Sequence, residues 1–328
     1  MVDPFWEETV ASLRSLTRND IDALVLLLRN GTVDEKCKSA KKLGDYIRWA
    51  FHLHEEVPDF FNIVQHDLAG EFAQCIKSSK HQEVIYTCVN GISYFGEKAS
   101  RFEGLLADLL NHRGHLVRLT AIRGLASISP RKRDFIPRFL DKLRSKQKGE
   151  VNAAIDALAM SSPLPQNAMN EIIQTFPVPD TRDEETLMGV VCLLCLNADK
   201  AKGALEYFRT LLIKTNPAWR QYGAFGLICI SDQAEDIRPA IKALRSEDRA
   251  LALLGYREIQ LLYSAIRSKQ DYWPEFVPIV ERHLARLKAG EDTAGWSEEA
   301  IQKEMRKTEA LLREITGSTP VQTEYECN

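Results

Sequence analysis

The sequence predicts an all-α protein built from repeated helical hairpins. Three observations carry this prediction. A short motif recurs every 32 to 35 residues along most of the chain, and the apolar residues around each copy have helical spacing. No stretch shows the sustained alternation of apolar and polar residues that strands need. A repeat of this length with helical periodicity is typical of arrays whose unit is a pair of helices.

The recurring motif is a small residue, followed three positions later by another small residue and then by an apolar one. Its copies begin at Cys88, Ala121, Ala154, Gly189, Gly223 and, less faithfully, Gly255, where Glu258 replaces the second small residue. A looser copy begins at Ala40, 48 residues before Cys88, which indicates an insertion or a lengthened helix. Small residues let helices approach closely, so we expect Ala121, Ala154, Gly189 and Gly223 to be nearly fully buried.

Each motif lies on the second helix of a hairpin, and a first helix precedes it from Ala121 onward. Pro137 and Pro239 follow Ala121 and Gly223 by 16 residues, and we expect both in the first turn of a helix, where proline is tolerated. On the helix around Ala121, apolar residues recur every three positions. We expect the buried face to contain Leu116, Leu119, Ile122, Leu125 and Ile128.

Capping helices are predicted at both ends of the array. Residues 1–32 contain one or two helices that end at Asn30-Gly31. The array itself is placed at 33–288, its last helix beginning at Trp273-Pro274 and stopped by Gly290. Ser297 is the expected N-cap of a final helix within 289–315, and residues 316–328 are an expected mobile tail.

Two helix starts carry a further signature. Val117-Arg118 and Trp219-Arg220 stand at equal distances before Ala121 and Gly223, whereas Glu150-Val151 and Leu251-Ala252 lack the arginine. The chain here resembles the HEAT repeat family, whose second helix often carries a Val-Arg pair before an alanine-rich patch. The resemblance implies an armadillo-type fold, a right-handed α–α superhelical solenoid of about seven HEAT-like repeats. Most such proteins are scaffolds, adaptors or cargo binders.

Composition excludes several classes of protein. The longest uninterrupted apolar run, Val190 to Leu196, has 7 residues, whereas a membrane span needs about 20. The acidic N-terminus does not have the pattern of a secretory signal. Seven cysteines, an odd number at scattered positions, indicate reduced thiols and a cytoplasmic location.

The distribution of charge is the strongest functional signal. Eleven Lys and Arg lie between Arg113 and Lys148, opposed only by Asp134 and Asp141, so this segment carries +9 in a chain of net charge −3. We expect a basic patch and an anionic partner, which could be nucleic acid, a phospholipid surface or an acidic protein. The simpler interpretation is a solvated helix face with an inter-repeat ladder at Arg118. The predicted contact residues are Arg118, Arg123, Arg131, Lys132, Arg133, Lys142 and Arg144.

Other chemistry-bearing residues give weaker signals. Cys192 and Cys195 form a CxxC motif within an apolar segment, which favours core thiols over a redox or metal pair. The pairs His52/His54 and His112/His115 do not have convincing metal-ligand spacing. We therefore predict no cofactor, no metal and no catalytic residue.

The sequence favours a non-enzymatic scaffold that binds a protein partner on its concave face. The alternative is a nucleic-acid-binding protein similar to the HEAT-like DNA glycosylases that excise alkylated bases, for which this chain offers Trp219, Arg220, Trp273 and the basic segment. A third class, the phycobilin lyase-like HEAT proteins, shares the repeat without a matching motif. The partner and the oligomeric state are not predicted.

Overall fold

The computed structural model describes residues 4–52, 68–176, 184–246, 256–291, 293 and 296–317, and no strand occurs within these ranges. Seventeen α-helices lie in the described part of the chain. They are α1 (Pro4–Ser15), α2 (Arg18–Asn30), α3 (Val33–His52), α4 (Leu68–Ser78), α5 (Gln82–Ser93), α6 (Glu103–Leu109), α7 (His115–Ile128), α8 (Ile136–Lys142), α9 (Lys148–Met160), α10 (Gln166–Thr175), α11 (Glu184–Cys195), α12 (Leu205–Leu212), α13 (Pro217–Ile230), α14 (Ala234–Ser246), α15 (Tyr256–Ser268), α16 (Trp273–Lys288) and α17 (Glu298–Thr316). The predicted all-α class is confirmed.

The chain divides into two compact units, Met1–Ser162 and Pro163–Asn328. In the first unit, α4 packs on α5, α6 on α7 and α8 on α9, so that each pair forms a hairpin. The second helices of these hairpins also pack side by side, with α3, α5, α7 and α9 in contact in that order. The lengthened interval between Ala40 and Cys88 contains most of the 20-residue helix α3 and all of α4, and residues 53–67 between these helices lie outside the described residues.

In the second unit, α12 packs on α13, and the second helices α11, α13 and α15 contact each other in order. Helix α16 begins at Trp273 and pairs with the last helix, α17. Ser297 is the N-cap of α17, and its hydroxyl accepts a hydrogen bond from the Ala300 amide, as predicted. The motif copy at Gly255, the Leu251-Ala252 pair and the tail at 318–328 lie outside the described residues.

Three of the four predicted anchor residues are buried. Ala121 and Ala154 are fully buried, and Gly223 lies in the buried face of α13. Gly189 is only half-buried, so the prediction is wrong at this position. Helix α11 buries residues on either side of Gly189, at Leu187 and Val190. The rest of this motif copy, from Val190 to Leu193, is buried.

Two other predictions need correction. Leu116 is exposed and Leu119 is only half-buried, because a three-residue step drifts away from a helix face that repeats every 3.6 residues. The buried face of α7 runs through Val117, Ala121 and Leu125 instead. Pro137 lies in the first turn of α8 as expected. Pro239, however, is the sixth residue of α14, one turn beyond the predicted place.

Candidate interaction surfaces

Arg118, the first predicted contact residue, is engaged inside the first unit. Its Nε and Nη2 atoms donate to Glu150 Oε1 at 3.0 and 2.6 Å, joining α7 to α9. Its Nη1 atom donates to the His112 and Arg113 carbonyl oxygens at 2.7 and 3.0 Å. The side chain of Glu150 is buried and also accepts a hydrogen bond from Ser145. Arg118 thus forms the inter-repeat ladder that the sequence offered as the simpler interpretation.

Several other cations of the basic segment pair with acids of adjacent repeats. Arg131 donates to Glu103 Oε2 at 2.8 Å, and Lys132 donates to Glu97 Oε1 at 3.2 Å. Burial alone would raise the pKa of Glu103, but hydrogen bonds from Arg131 and Ser129 outweigh burial and lower it. Each of these pairs neutralises one positive charge, so the segment presents less charge than its composition indicates.

Two more predicted contact residues have weaker or partly neutral partners. The Arg123 guanidinium lies 3.8 Å from the Asp156 carboxylate, and both side chains are exposed. Lys142, which is mostly buried, donates to Asn111 at 3.3 Å and lies 3.6 Å from Asp141. Arg123 lies on the second helix α7, whereas Lys142 is the last residue of the first helix α8.

The unpaired cations lie mainly in the turns. Arg113, Arg133 and Lys146 are exposed and make no ion pair with any residue that the structure describes. Arg133 precedes α8, whereas Arg144 and Lys146 follow it, so the basic residues lie at both ends of this short helix. Exposed Arg138 lies along α8, with its guanidinium over the ring of half-buried Phe135 at 5.8 Å from the ring centroid.

A groove lies between α3 and α5 on the second-helix face. Its volume is about 400 Å³. Buried Gly44 and Gly91 form its floor, and a Cβ atom on Gly44 would lie 3.3 Å from Tyr94 Cε2 and 3.6 Å from the Gly91 Cα atom. The other lining residues are Cys37, Lys38, Ala40, Lys41, Asp45, Tyr86, Thr87, Asn90 and Tyr94.

The α5 wall of this groove presents side chains that suit a protein ligand. Tyr86, Asn90 and Tyr94 are four residues apart and therefore share one helix face. Tyr94 is 39% exposed, and the Asn90 amide makes no hydrogen bond to another described residue. The sequence analysis missed this site. The i, i+4, i+8 spacing of two tyrosines around an amide was the available signal.

Two of the residues considered for nucleic-acid binding, Arg220 and Trp273, make hydrogen bonds within the protein, and the described residues considered for metal binding form no cluster of metal ligands. Arg220 donates to the Thr215 carbonyl oxygen at 2.9 Å, and half-buried Trp273 donates from Nε1 to the Ile266 carbonyl oxygen at 3.0 Å. Cys192 and Cys195 are buried, as predicted. No cluster of three metal-ligating side chains occurs among the described residues, and the side chains of His52 and His54 lie outside them.

No helix in the described ranges is long and apolar enough to span a membrane. Searches against models of protein families and against curated proteins give no match. Among solved structures, the chain is similar to an engineered protein, Northeast Structural Genomics Consortium target OR497, with 16% identity, coverage of 93% of each chain and a TM-score of 0.49. It is also similar to the designed armadillo repeat protein YIII(Dq)4CqI, with 14% identity over 64% of this chain and 100% of that chain, and a TM-score of 0.46.

At these identities and TM-scores the similarities carry no argument about function, and the classification rests on the helices themselves. Successive hairpins whose second helices pack side by side define a helical-repeat protein of the HEAT/armadillo-like class. The fold alone does not assign a function, which resides in the side chains of the surface.

Proposed function

We propose that this protein is a non-enzymatic interaction scaffold and that its first unit binds an acidic protein partner across the second-helix face. The observation that carries the proposal is the groove between α3 and α5, where aromatic and amide side chains surround a glycine floor. Tyrosine supplies a large contact area with few rotatable bonds and a polar tip, which is why it is enriched at protein interfaces. Cysteines without a disulfide pattern favour the cytoplasm as the setting.

The basic residues support an acidic partner. Arg113, Arg133 and Lys146 have no acidic partner in the described part of the chain, and Arg144 is also exposed. Arg123 belongs to the second-helix face itself, on α7. Charges around a docking site accelerate association with a partner of opposite charge more than they strengthen the bound complex. In this proposal the groove provides the contact and the cations steer the partner towards it.

The groove is tested with Tyr94→Ala, after the partner has been isolated by co-purification from the native cell and identified by mass spectrometry. Removing an exposed interface tyrosine should weaken binding at least tenfold in an isothermal titration, mainly through faster dissociation. Ile213→Ala is the control, because Ile213 is an 81% exposed apolar residue of the second unit. Equal affinity of both variants and the wild type would refute the groove as the binding site.

The charges are tested by reversing Arg113, Arg133 and Lys146 to Glu. These residues have no internal ion pair, so the variant leaves the Arg118 and Arg131 contacts intact. We expect association to slow about tenfold at low salt and to approach the wild-type rate at high salt. The matched control reverses Arg238, Lys242 and Arg245, three exposed cations of α14. If nucleic acid co-purifies in place of a protein, the proposed partner class is wrong.

A further inference from the structure

The last helix, α17, is held on the second unit by a small and polar interface. Only four of its 19 residues are buried, and two of the four, Glu304 and Thr308, are polar. The internal second helix α13 has 14 residues and buries ten of them, nearly all apolar. Because apolar burial is the main source of packing stability, α17 is held less firmly than α13.

Hydrogen bonds between polar side chains join α17 to the neighbouring second helix, α15. Four of them measure 2.7 to 2.9 Å, and they link Gln260 to Glu304, Gln260 to Lys307, Tyr263 to Thr308 and Arg267 to Glu314. The Glu304 side chain is fully buried, and its Oε1 atom has no hydrogen-bond partner. A buried polar atom without a partner weakens the contact that buries it. Glu304 is therefore the costly residue of this interface.

The cost of burying Glu304 depends on its protonation state. A neutral carboxyl group tolerates burial far better than a carboxylate, which loses its hydration. Burial accordingly raises the pKa of Glu304, and Tyr263 on α15 and Lys307 on α17 lower it by less. Helix α16, which also packs on α17, contributes buried His283 and exposed Lys288, which pairs with a different acid of α17.

We propose that α17 is a pH-sensitive cap, docked on the second unit while Glu304 is protonated and detached increasingly often as Glu304 ionises. Each element of a repeat array packs only on its neighbours, so a terminal helix can detach while the remaining helices stay folded. Helix α17 packs on α15 and α16, and its other face is exposed at Glu299 and Lys303. Detachment uncovers the second-helix face of α15, with Gln260 and Tyr263 at the contact.

Proton linkage determines the sign and the pH range of the effect. Docking is strongest below the ordinary glutamate pKa of 4.5, where Glu304 is protonated whether α17 is docked or detached. Between 4.5 and the raised pKa of the docked state, the equilibrium constant for detachment increases about tenfold per pH unit, and above that range it is constant. Hydrogen exchange of the full-length protein, followed by mass spectrometry and corrected for the intrinsic exchange rate at each pH, measures this equilibrium at 301–315.

We expect the corrected exchange at 301–315 to accelerate over this pH range while α13 keeps its protection in the same sample. Glu304→Gln should remove the pH dependence at 301–315, and exposed Glu299→Gln in the same helix should keep it. In the wild type itself, constant exchange in α17, or loss of protection in α17 and α13 together, would overturn the cap. A pH dependence that survives in Glu304→Gln with α13 still protected would overturn Glu304 as the sensor. These results concern the second unit alone and are independent of the proposed function.

Discussion

At the scale of single residues, the molecule repeatedly places an arginine and a serine on one buried carboxylate. Glu103 has Arg131 and Ser129, and Asp236 has Arg209 and Ser231, with Arg209 Nε donating to Asp236 Oδ1 at 2.7 Å. The Arg209 guanidinium is the main reason that the pKa of Asp236 is lowered. These carboxylates stabilise the fold while they are ionised, so their contribution is present above their unfolded-state pKa and is lost on acidification.

Gly226 lies where α13 packs against α12, so a substitution there tests how closely these two helices must approach. A Cβ atom there would overlap the ring of fully buried Phe208 on the facing helix α12. Gly226→Ala should lower the free energy of unfolding by about 1–3 kcal/mol, because the core cannot absorb the methyl group without moving the ring. Urea denaturation measures the change. The control is Gly104→Ala on α6, where the new methyl group meets no atom within 4 Å and should leave stability unchanged or slightly raised.

Glu304 is predicted to make the second unit less stable as pH rises. Its side chain is fully buried between α15 and α17, where Gln260 donates to Oε2 at 2.9 Å and Oε1 has no partner. Burial raises the pKa of Glu304 above its ordinary value of 4.5. The neutral form is therefore favoured in the folded state, and the associated stability is complete below that value and is lost as pH rises through the folded pKa.

Replacing the Glu304 carboxyl group by an amide, which does not titrate, removes this pH dependence of stability. Glu304→Gln should raise the thermal midpoint near neutral pH and flatten the decline of stability with pH, measured by differential scanning calorimetry. Exposed Glu299→Gln, in the first turn of the same helix, is the control and should keep the wild-type pH profile. A lower midpoint for Glu304→Gln at neutral pH would show that the ionised carboxylate stabilises this contact.

At the scale of elements, adjacent repeats are joined through their second helices. Small residues such as Ala121 and Ala154 let α7 and α9 approach, and two ion pairs then connect the same helices. The pairs differ in environment: Glu150 is buried beneath Arg118, whereas Asp156 and Arg123 are both exposed. A buried carboxylate that loses its partner keeps its desolvation cost, while an exposed one is solvated by water.

The two ion pairs therefore predict different losses of stability when their arginines on α7 are replaced by alanine. Arg118→Ala should destabilise the first unit by about 3–5 kcal/mol, the range for breaking a buried pair. Arg123→Ala should cost at most about 1 kcal/mol, as exposed pairs do. Chemical denaturation of both variants gives the comparison. Similar values for the two would contradict a buried ladder between α7 and α9.

At the scale of the whole molecule, the chain consists of two units, each with its own set of packed hairpins. A fragment ending at Ser162 should therefore fold, with a helical circular dichroism spectrum and a cooperative thermal transition. A fragment ending at residue 146 lacks α9 and is the matched comparison. The shorter fragment leaves the apolar face of α7 uncovered and lacks Glu150, the partner of Arg118. It should therefore aggregate or unfold without a cooperative thermal transition. A non-cooperative fragment 1–162 would refute the boundary.

Much of the architecture could be predicted from the sequence, because helical periodicity is a local property and small residues at a fixed step mark where helices approach. The helix class, the first helices, the Ser297 cap and the burial of Ala121 and Ala154 follow from these patterns. The predicted burial failed at Gly189, which is half-buried although Leu187 and Val190 beside it are buried, and at Leu116, where a three-residue count drifted off the helix face.

Only the tertiary structure decided which surface charges remain available. The sequence by itself determined a basic segment of +9, yet the acids that neutralise Arg118, Arg131 and Lys132 are some 28 to 35 residues away in adjacent repeats. Ion pairing depends on distance in space, and packing of successive repeats sets that distance. The α3–α5 groove arises for the same reason. It joins residues of separate helices, whose relative placement is decided by how the hairpins pack.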